Sequence, residues 1–218
     1  MGMSAEEIMN LALEMAGLES IPADSEIYNP KEEVNRVLFS IDVGVPGLLL
    51  AKMLGCDAAI AHHPEGGRAA VEGFKVFKKH VDLMVRNGVP KEVAEEAVER
   101  KMRSLMVESH RHNYDLAPSV ARLLAMGYMN IHNPLDEIGR RMLQEVVDRV
   151  GERAKVKDLM LSLMRLKEFS SALAPIMLVL GDEENEVGKA VVAHGAFTNG
   201  GSEVARAYFE HGVDTLIY

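Results

Sequence analysis

Residues 36–65 read RVLFSIDVGVPGLLLAKMLGCDAAIAHHPE, and this stretch decides the fold. Arg36–Asp42 is a short apolar run that predicts a buried strand. Residues 45–54 predict a helix that stops at Gly55. Residues 56–63 predict a second strand, closed by Pro64, which cannot continue a ladder. Strand, short helix, strand is a βαβ unit, so the two strands are expected to lie parallel. The second strand delivers His62 and His63 to its C-terminal end. In parallel α/β sheets that edge is where sites are built.

Upstream, Ser4-Ala-Glu-Glu7 is a capping-box signature for a first helix ending at Gly17. Residues 18–35, with Pro22, Asp24, Asn29 and Pro30, read as a loop. Downstream, helices are expected over 69–87 and 90–111, broken at Asn87-Gly88, and over 116–126. Tyr128–His132 predicts a third strand, and Asn133-Pro134 opens a helix to about Val150. A helical stretch covers 155–172. Ile176–Leu180 and Lys189–Ala193 predict strands around an acidic turn, followed by a glycine-containing loop, Gly195–Ser202. A helix over 202–211 and a strand over 214–218 complete the pattern. Gly55-Cys-Asp and Gly212-Val-Asp share one design: a helix, a glycine stop, an Asp and an apolar strand. The expected organisation is a first α/β lobe over 1–132 with a helical insertion at about 69–111. A helical connection follows over 133–175, and a second α/β lobe over 176–218.

The 218 residues are 48% hydrophobic and 26% charged, with net charge −9. That composition excludes disordered and collagen-like chains, and it argues against non-specific nucleic-acid binding, which needs excess positive charge. Trp is absent and aromatics are 5%, so base-stacking platforms are not expected. The single Cys56 excludes an intrachain disulfide and a Cys-rich zinc site. No apolar run reaches the ~18 residues of a membrane span. The acidic N-terminus does not read as a signal peptide, so a cytoplasmic location is expected.

His62-His63-Pro64 is the most informative motif. One metal can take both rings only if the strand has ended, because adjacent side chains within a strand point apart. Two ions, or a pair of plain loop histidines, are the alternatives. Ser109–Asp115 gathers further candidates: Asp115 reads as a carboxylate ligand or a helix N-cap, and His110 and His112 as ligands or solvent-facing residues. His132 and His194 each follow a predicted strand and are candidates to line the site, whereas His80 and His211 read as surface helix residues. Gly200-Gly201-Ser202 at a helix start can hold an anion, although its spacing matches neither a Walker loop nor GxGxxG. Cys56 reads as a small core residue rather than a nucleophile. Glu65 and His112 are the nearest candidates for a general base.

Residues 36–65, Asn113-Tyr-Asp115, and Gly200–Ala207 with Gly212–Ile217 together resemble the NIF-three-like family, whose members include GTP cyclohydrolase 1 type 2 proteins. The resemblance covers most of 1–132 and 176–218, with 134–175 poorly matched. It implies two α/β lobes, a dinuclear metal site in the cleft between them and a ring-shaped hexamer, hence a homo-oligomer. It maps metal ligands onto His62, His63 and Asp115, with Asp115 the bridge. It implies divalent Zn, Fe or Mn and hydrolysis of a nucleotide or other phosphorylated small molecule. The family His four residues before the Asp falls on Arg111, and the spacing from His63 to Asp115, 52 residues, is longer than usual. A family His and Glu are expected just beyond Tyr218, so an incomplete second lobe and a partly filled site are expected. A non-catalytic metal-binding assembly protein is the rival reading, and a metal-free nucleotide-binding module is a third.

Overall fold

The computed structural model describes residues 2–194 and 200–218; residues 195–199 of the expected glycine loop lie outside them. In chain order the elements begin with α1 (Ala5–Ala16), β1 (Glu26–Asn29), β2 (Val37–Ser40), α2 (Val45–Met53) and β3 (Ala58–Ala61). There follow α3 (Gly67–Glu72), a 3₁₀ turn (Gly73–Lys78), α4 (Lys79–Arg86), α5 (Lys91–Ser109), α6 (Leu116–Leu123) and β4 (Gly127–Asn130). The chain continues through α7 (Asn133–Val150), α8 (Val156–Leu163), α9 (Lys167–Ser170), β5 (Ala190–Val192), α10 (Gly201–Glu210) and β6 (Thr215–Ile217). The described residues divide into two compact units. One holds 2–79 and 99–138, the other 80–98, 139–194 and 200–218.

The first unit is built on a four-stranded sheet of order β1-β4-β3-β2. β2, β3 and β4 are parallel, and β1 runs antiparallel to β4. Alternation along β3 decides which helix covers which face. Ala59 and Ala61, with Tyr128 of β4, pack against Leu48 and Ala51 of α2 and Ala117 and Ala121 of α6. Ile60 and Met129 face the other way, onto Met9 and Leu13 of α1. The small alanines let α2 and α6 approach closely. Leu48, Met9, Met129 and Tyr128 are fully buried, each contributing about 1.5–3 kcal/mol of apolar transfer. The N-terminus of α1 is closed by the expected capping box between Ser4 and Glu7.

The second unit has a two-stranded parallel sheet, β5-β6, with α10 between its strands in sequence. Its core gathers Val147, Leu159, Leu163, Val187 and Val192, and Tyr208 of α10 is fully buried. The terminal strand pairs as expected.

Several sequence expectations are corrected. β1 lies inside the segment read as a loop; its four residues are only half-buried, and pairing with β4 supplies what its own pattern does not signal. The expected buried strand at 36–42 is a sheet edge: Leu38 packs inward, but Val37, Phe39 and Ile41 are 42, 54 and 53% exposed. The helix expected over 69–87 is three segments, changing type at Gly73. The stretch 155–172 is two helices. Ile176–Leu180 forms no strand, and Met177, Val179 and Leu180 are exposed, because no neighbouring strand pairs with them among the described residues. His80, expected on the surface, is buried in α4.

Candidate metal centre

β3 ends at Ala61, so His62 and His63 lie beyond the ladder and both rings can turn to one side. The backbone N–H of His62 donates to Ser40 O at 2.9 Å and that of His63 to Ile41 O at 2.9 Å, which pins this corner to the chain leaving β2. β4 runs parallel to β3 with Ala61 opposite Asn130, and Ile131 N donates to Ala61 O at 3.0 Å. His132 therefore stands level with His63, each two residues past the paired positions. The ring centroids of His62 lie 5.1 Å from those of His63 and 4.7 Å from those of His132, and His63 and His132 are 5.6 Å apart. One ring nitrogen from each of the three lies within 4.8 Å of the others, so His62, His63 and His132 form a group that can hold a metal ion.

Each ring is oriented from behind. His132 Nδ1 is 2.7 Å from Oδ2 of the fully buried Asp24, and the backbone N–H of His132 donates to Ser25 Oγ at 2.9 Å. His62 Nδ1 is 3.1 Å from Ile131 O, where only an N–H can satisfy the carbonyl. His63 Nδ1 is 2.8 Å from the exposed Asp42 carboxylate. Such partners fix the tautomer and leave Nε2 to face a ligand. The Nε2 atoms of His62 and His132 converge on one carboxylate, Asp136, at 3.3 Å to Oδ1 and 3.6 Å to Oδ2. Asp136 sits in the first turn of α7, where the helix dipole favours an anion. Its hydrogen bond to His62, opposed by burial, raises the His62 pKa above that of a free imidazole.

Sequence reasoning brought His62, His63 and His132 to this edge but did not single out Asp24 or Asp136. The missed signal is His132-Asn-Pro-Leu-Asp136: a His four residues before an Asp, the pattern that the family resemblance demands, whereas the residue four before Asp115 is Arg111. Asp115 is not in the group. It precedes α6, its carboxylate accepts from Ser119 Oγ at 2.7 Å and pairs with Arg122 at 2.9 Å, and both contacts hold its pKa below the usual range. The N-cap alternative describes its position, although its side chain makes no cap hydrogen bond. His194 follows β5 in the second unit and is exposed, outside the group. All residues of the group, with Asp24, Asp42 and Asp136, belong to the first unit.

Glu65 and His112 are brought together in a different place, on the lining of a pocket of about 250 Å³ shared with Gly44, Val45 and Asn113. Loop 64–67 is shaped by close approach: a Cβ on Gly66 would lie 2.6–2.7 Å from Pro118 side-chain atoms and 2.7 Å from Tyr114 O. Gly67 has φ +57° and donates to Tyr114 O. Cys56 packs half-buried against the core, as expected.

Among the described residues no helix is long and apolar enough to cross a membrane. Comparison with protein-family models gave no match, and comparison with curated proteins gave none. Among solved structures, that of a NIF3 superfamily protein from Sphaerobacter thermophilus is 46% identical, with a TM-score of 0.94. The match covers 100% of this chain and 80% of that one. At that identity and coverage the similarity extends well beyond fold, and the chain belongs to the NIF3 superfamily.

Proposed function

We propose that the chain binds a divalent metal ion through His62, His63 and His132, with Asp136 as carboxylate partner, and hydrolyses a nucleotide or another phosphorylated small molecule. The observation that carries the metal reading is the convergence of three histidine nitrogens within 4.8 Å. A second distance supports Asp136. At 3.3 and 3.6 Å its oxygens stand farther from the two Nε2 atoms than the usual ~2.9–3.0 Å hydrogen bond. The 3.3 Å separation from His62 Nε2 matches the ~3.3–3.4 Å edge between two ligands of a tetrahedral ion with bonds of ~2.0–2.1 Å, and the 3.6 Å separation from His132 Nε2 is longer than that edge. Mixed imidazole and carboxylate donors suit Zn, Fe or Mn.

A bound divalent ion would supply Lewis acidity and acidified water. The chain's own residues orient the donors: Asp24 holds His132, Ile131 O holds His62, and Asp42 holds His63. Lys79 donates to Asn133, the residue after His132, which brings a cation near the start of α7 where an anionic substrate benefits. The test is metal analysis of the purified protein by mass spectrometry, then a screen of phosphorylated substrates with and without chelator. The reading predicts near-stoichiometric metal and chelator-sensitive hydrolysis; protein that takes up no metal and hydrolyses nothing would count it out.

A second reading draws on another observation. The sheet edge at β2 exposes Val37, Phe39 and Ile41, and α2 exposes Leu49, Leu50 and Met53. Apolar surface of this extent marks interaction sites and supports a homo-oligomer, in which a metal-binding assembly without catalysis is the alternative. Light scattering at micromolar concentration, together with metal content that stays high where hydrolysis is absent, separates the two.

A further inference from the structure

We propose that the pocket walled by Glu65 and Asn113 is a binding site for a small ligand that carries an N–H beside a C=O, an amide or lactam. The proposal does not depend on the metal reading. The pocket, about 250 Å³, is lined by Gly44, Val45, Pro64, Glu65, Asn113 and Leu116 among others. It is smaller than the ~300–1,000 Å³ of sites for drug-sized molecules, so it fits a ring or a short side chain rather than a whole nucleotide.

Besides the exposed His112, its polar side chains are of two complementary kinds. Glu65 is fixed by one oxygen: Oε1 accepts the Val43 N–H at 2.8 Å. Oε2 accepts no hydrogen bond among the described residues and lies 3.7 Å from where a Cβ on Gly44 would stand. Asn113 is fixed by its own oxygen: Oδ1 accepts the N–H groups of Asp115 and Leu116, both at 3.2 Å. Its Nδ2 is thereby the unengaged donor among the described residues. Val45, which opens α2 behind the side-chain-free cap Gly44, also lines the pocket.

A fixed acceptor and a fixed donor in one small pocket set the ligand chemistry. An anion meets the Glu65 carboxylate, and a simple cation leaves the Asn113 amide without an acceptor. An amide satisfies both: its N–H donates to Glu65 Oε2 and its carbonyl accepts from Asn113 Nδ2. Val45, Pro64, Ala70, Leu116 and Ala117 give the apolar remainder of the wall that a ring or alkyl chain needs.

The test titrates 2-pyrrolidinone into the isotope-labelled full chain, with and without EDTA, and follows the amide resonances of Gly44, Val45, Glu65 and Asn113. Acetate and methylammonium are titrated alongside. We expect saturable shifts with the lactam, unchanged by EDTA, and weaker or no shifts with either ion. Glu65→Gln keeps the Val43 contact but replaces the open acceptor by a donor, and binding should weaken about tenfold or more, the range for a hydrogen bond to a charged group. Gly44→Leu fills the pocket from a backbone position with φ −73° and no steric conflict at Cβ; it should weaken binding similarly while keeping the wild-type spectrum elsewhere. The proposal is overturned if the lactam leaves these resonances unmoved, if either ion shifts them as strongly, or if both variants bind like the parent.

Discussion

The pair β2–β3 and the pair β5–β6 are built by one local design and end differently. In each, a helix stops at a glycine in the left-handed region, Gly55 with φ +70° and Gly212 with φ +84°. The following N–H groups close back on the helix: Gly55 on Lys52 O and Cys56 on Ala51 O, Gly212 on Phe209 O and Val213 on Tyr208 O. An Asp comes next and clamps the start of the neighbouring parallel strand. Asp57 accepts the N–H groups of Asn35 and Arg36, both at 2.9 Å, and Asp214 accepts that of Lys189 at 2.8 Å. The backbone repeats as well: Asp57 N donates to Arg36 O at 2.8 Å, and Asp214 N to Lys189 O at 2.9 Å. The first pair is extended by β4, and only there do histidines converge among the described residues. The shared design makes a parallel pair; the site needs the third strand.

The sharpest way to break that comparison is to remove what β4 adds. His132→Ala should leave the β2–β3 pair intact and drop metal content well below one ion per chain, because two histidines and one carboxylate remain. If metal content stays unchanged, His132 is not a ligand. Asp24→Ala tests the brace behind it. The loss of the 2.7 Å contact takes a hydrogen-bond partner from the buried His132 Nδ1, costing about 1–3 kcal/mol of stability and about 10–100-fold in metal affinity. Asp24→Asn keeps an acceptor oxygen, so stability should largely return while affinity stays reduced. Competition with a calibrated chelator and urea melts read the two effects separately.

The next test asks whether the two glycine stops are equivalent. A Cβ on Gly55 or on Gly212 would meet nothing within 4 Å, so only backbone conformation opposes substitution. Gly55→Ala and Gly212→Ala should therefore each cost about 1–2 kcal/mol, the penalty for an L-residue in the left-handed region. Unequal midpoints in urea would show that one unit tolerates a shifted helix end and the other does not.

Residues whose role is set locally were legible in the sequence. The β2–α2–β3 unit, the capping box at Ser4 and the placement of His62 and His63 at the C-terminal end of a strand follow from neighbours a few positions away, although β3 stops at Ala61, before the two histidines that the pattern had counted in it. What was not legible depends on distant partners. β1 is a strand because β4 pairs with it, and Asp24 is a brace because the fold carries a loop acid to His132, 108 residues on. Asp136 reads as an ordinary first-turn acid until β4 is placed beside β3. The apolar pattern at 36–42 looks buried because periodicity reports hydrophobicity, not whether a sheet continues past the strand. The Ile176–Leu180 run fails for the same reason: a strand needs a neighbour, and the sequence does not show which one.

The smallest expected effect separates the two clamps by strength. Asp57 is half-buried, and the two backbone N–H groups it accepts hold its pKa below the ordinary carboxylate value, with Lys31 adding a smaller pull. A folded-state pKa below the unfolded one means that the clamp stabilises the fold above the unfolded value, ~3.9 for Asp, and that the contribution disappears as pH falls through the folded-state value. Asp57→Asn should therefore lower the urea midpoint at pH 7 and converge with the parent as pH falls through the folded-state value. Asp214 accepts one N–H where Asp57 accepts two, so Asp214→Asn should show a smaller fall in urea midpoint at pH 7. A larger one would mean that the second pair leans on its clamp more heavily because no further strand supports it. Melts of both variants at pH 7, with the Asp57→Asn series carried to pH 5 and 3, decide between an effect set by the number of N–H groups and one set by the size of the sheet.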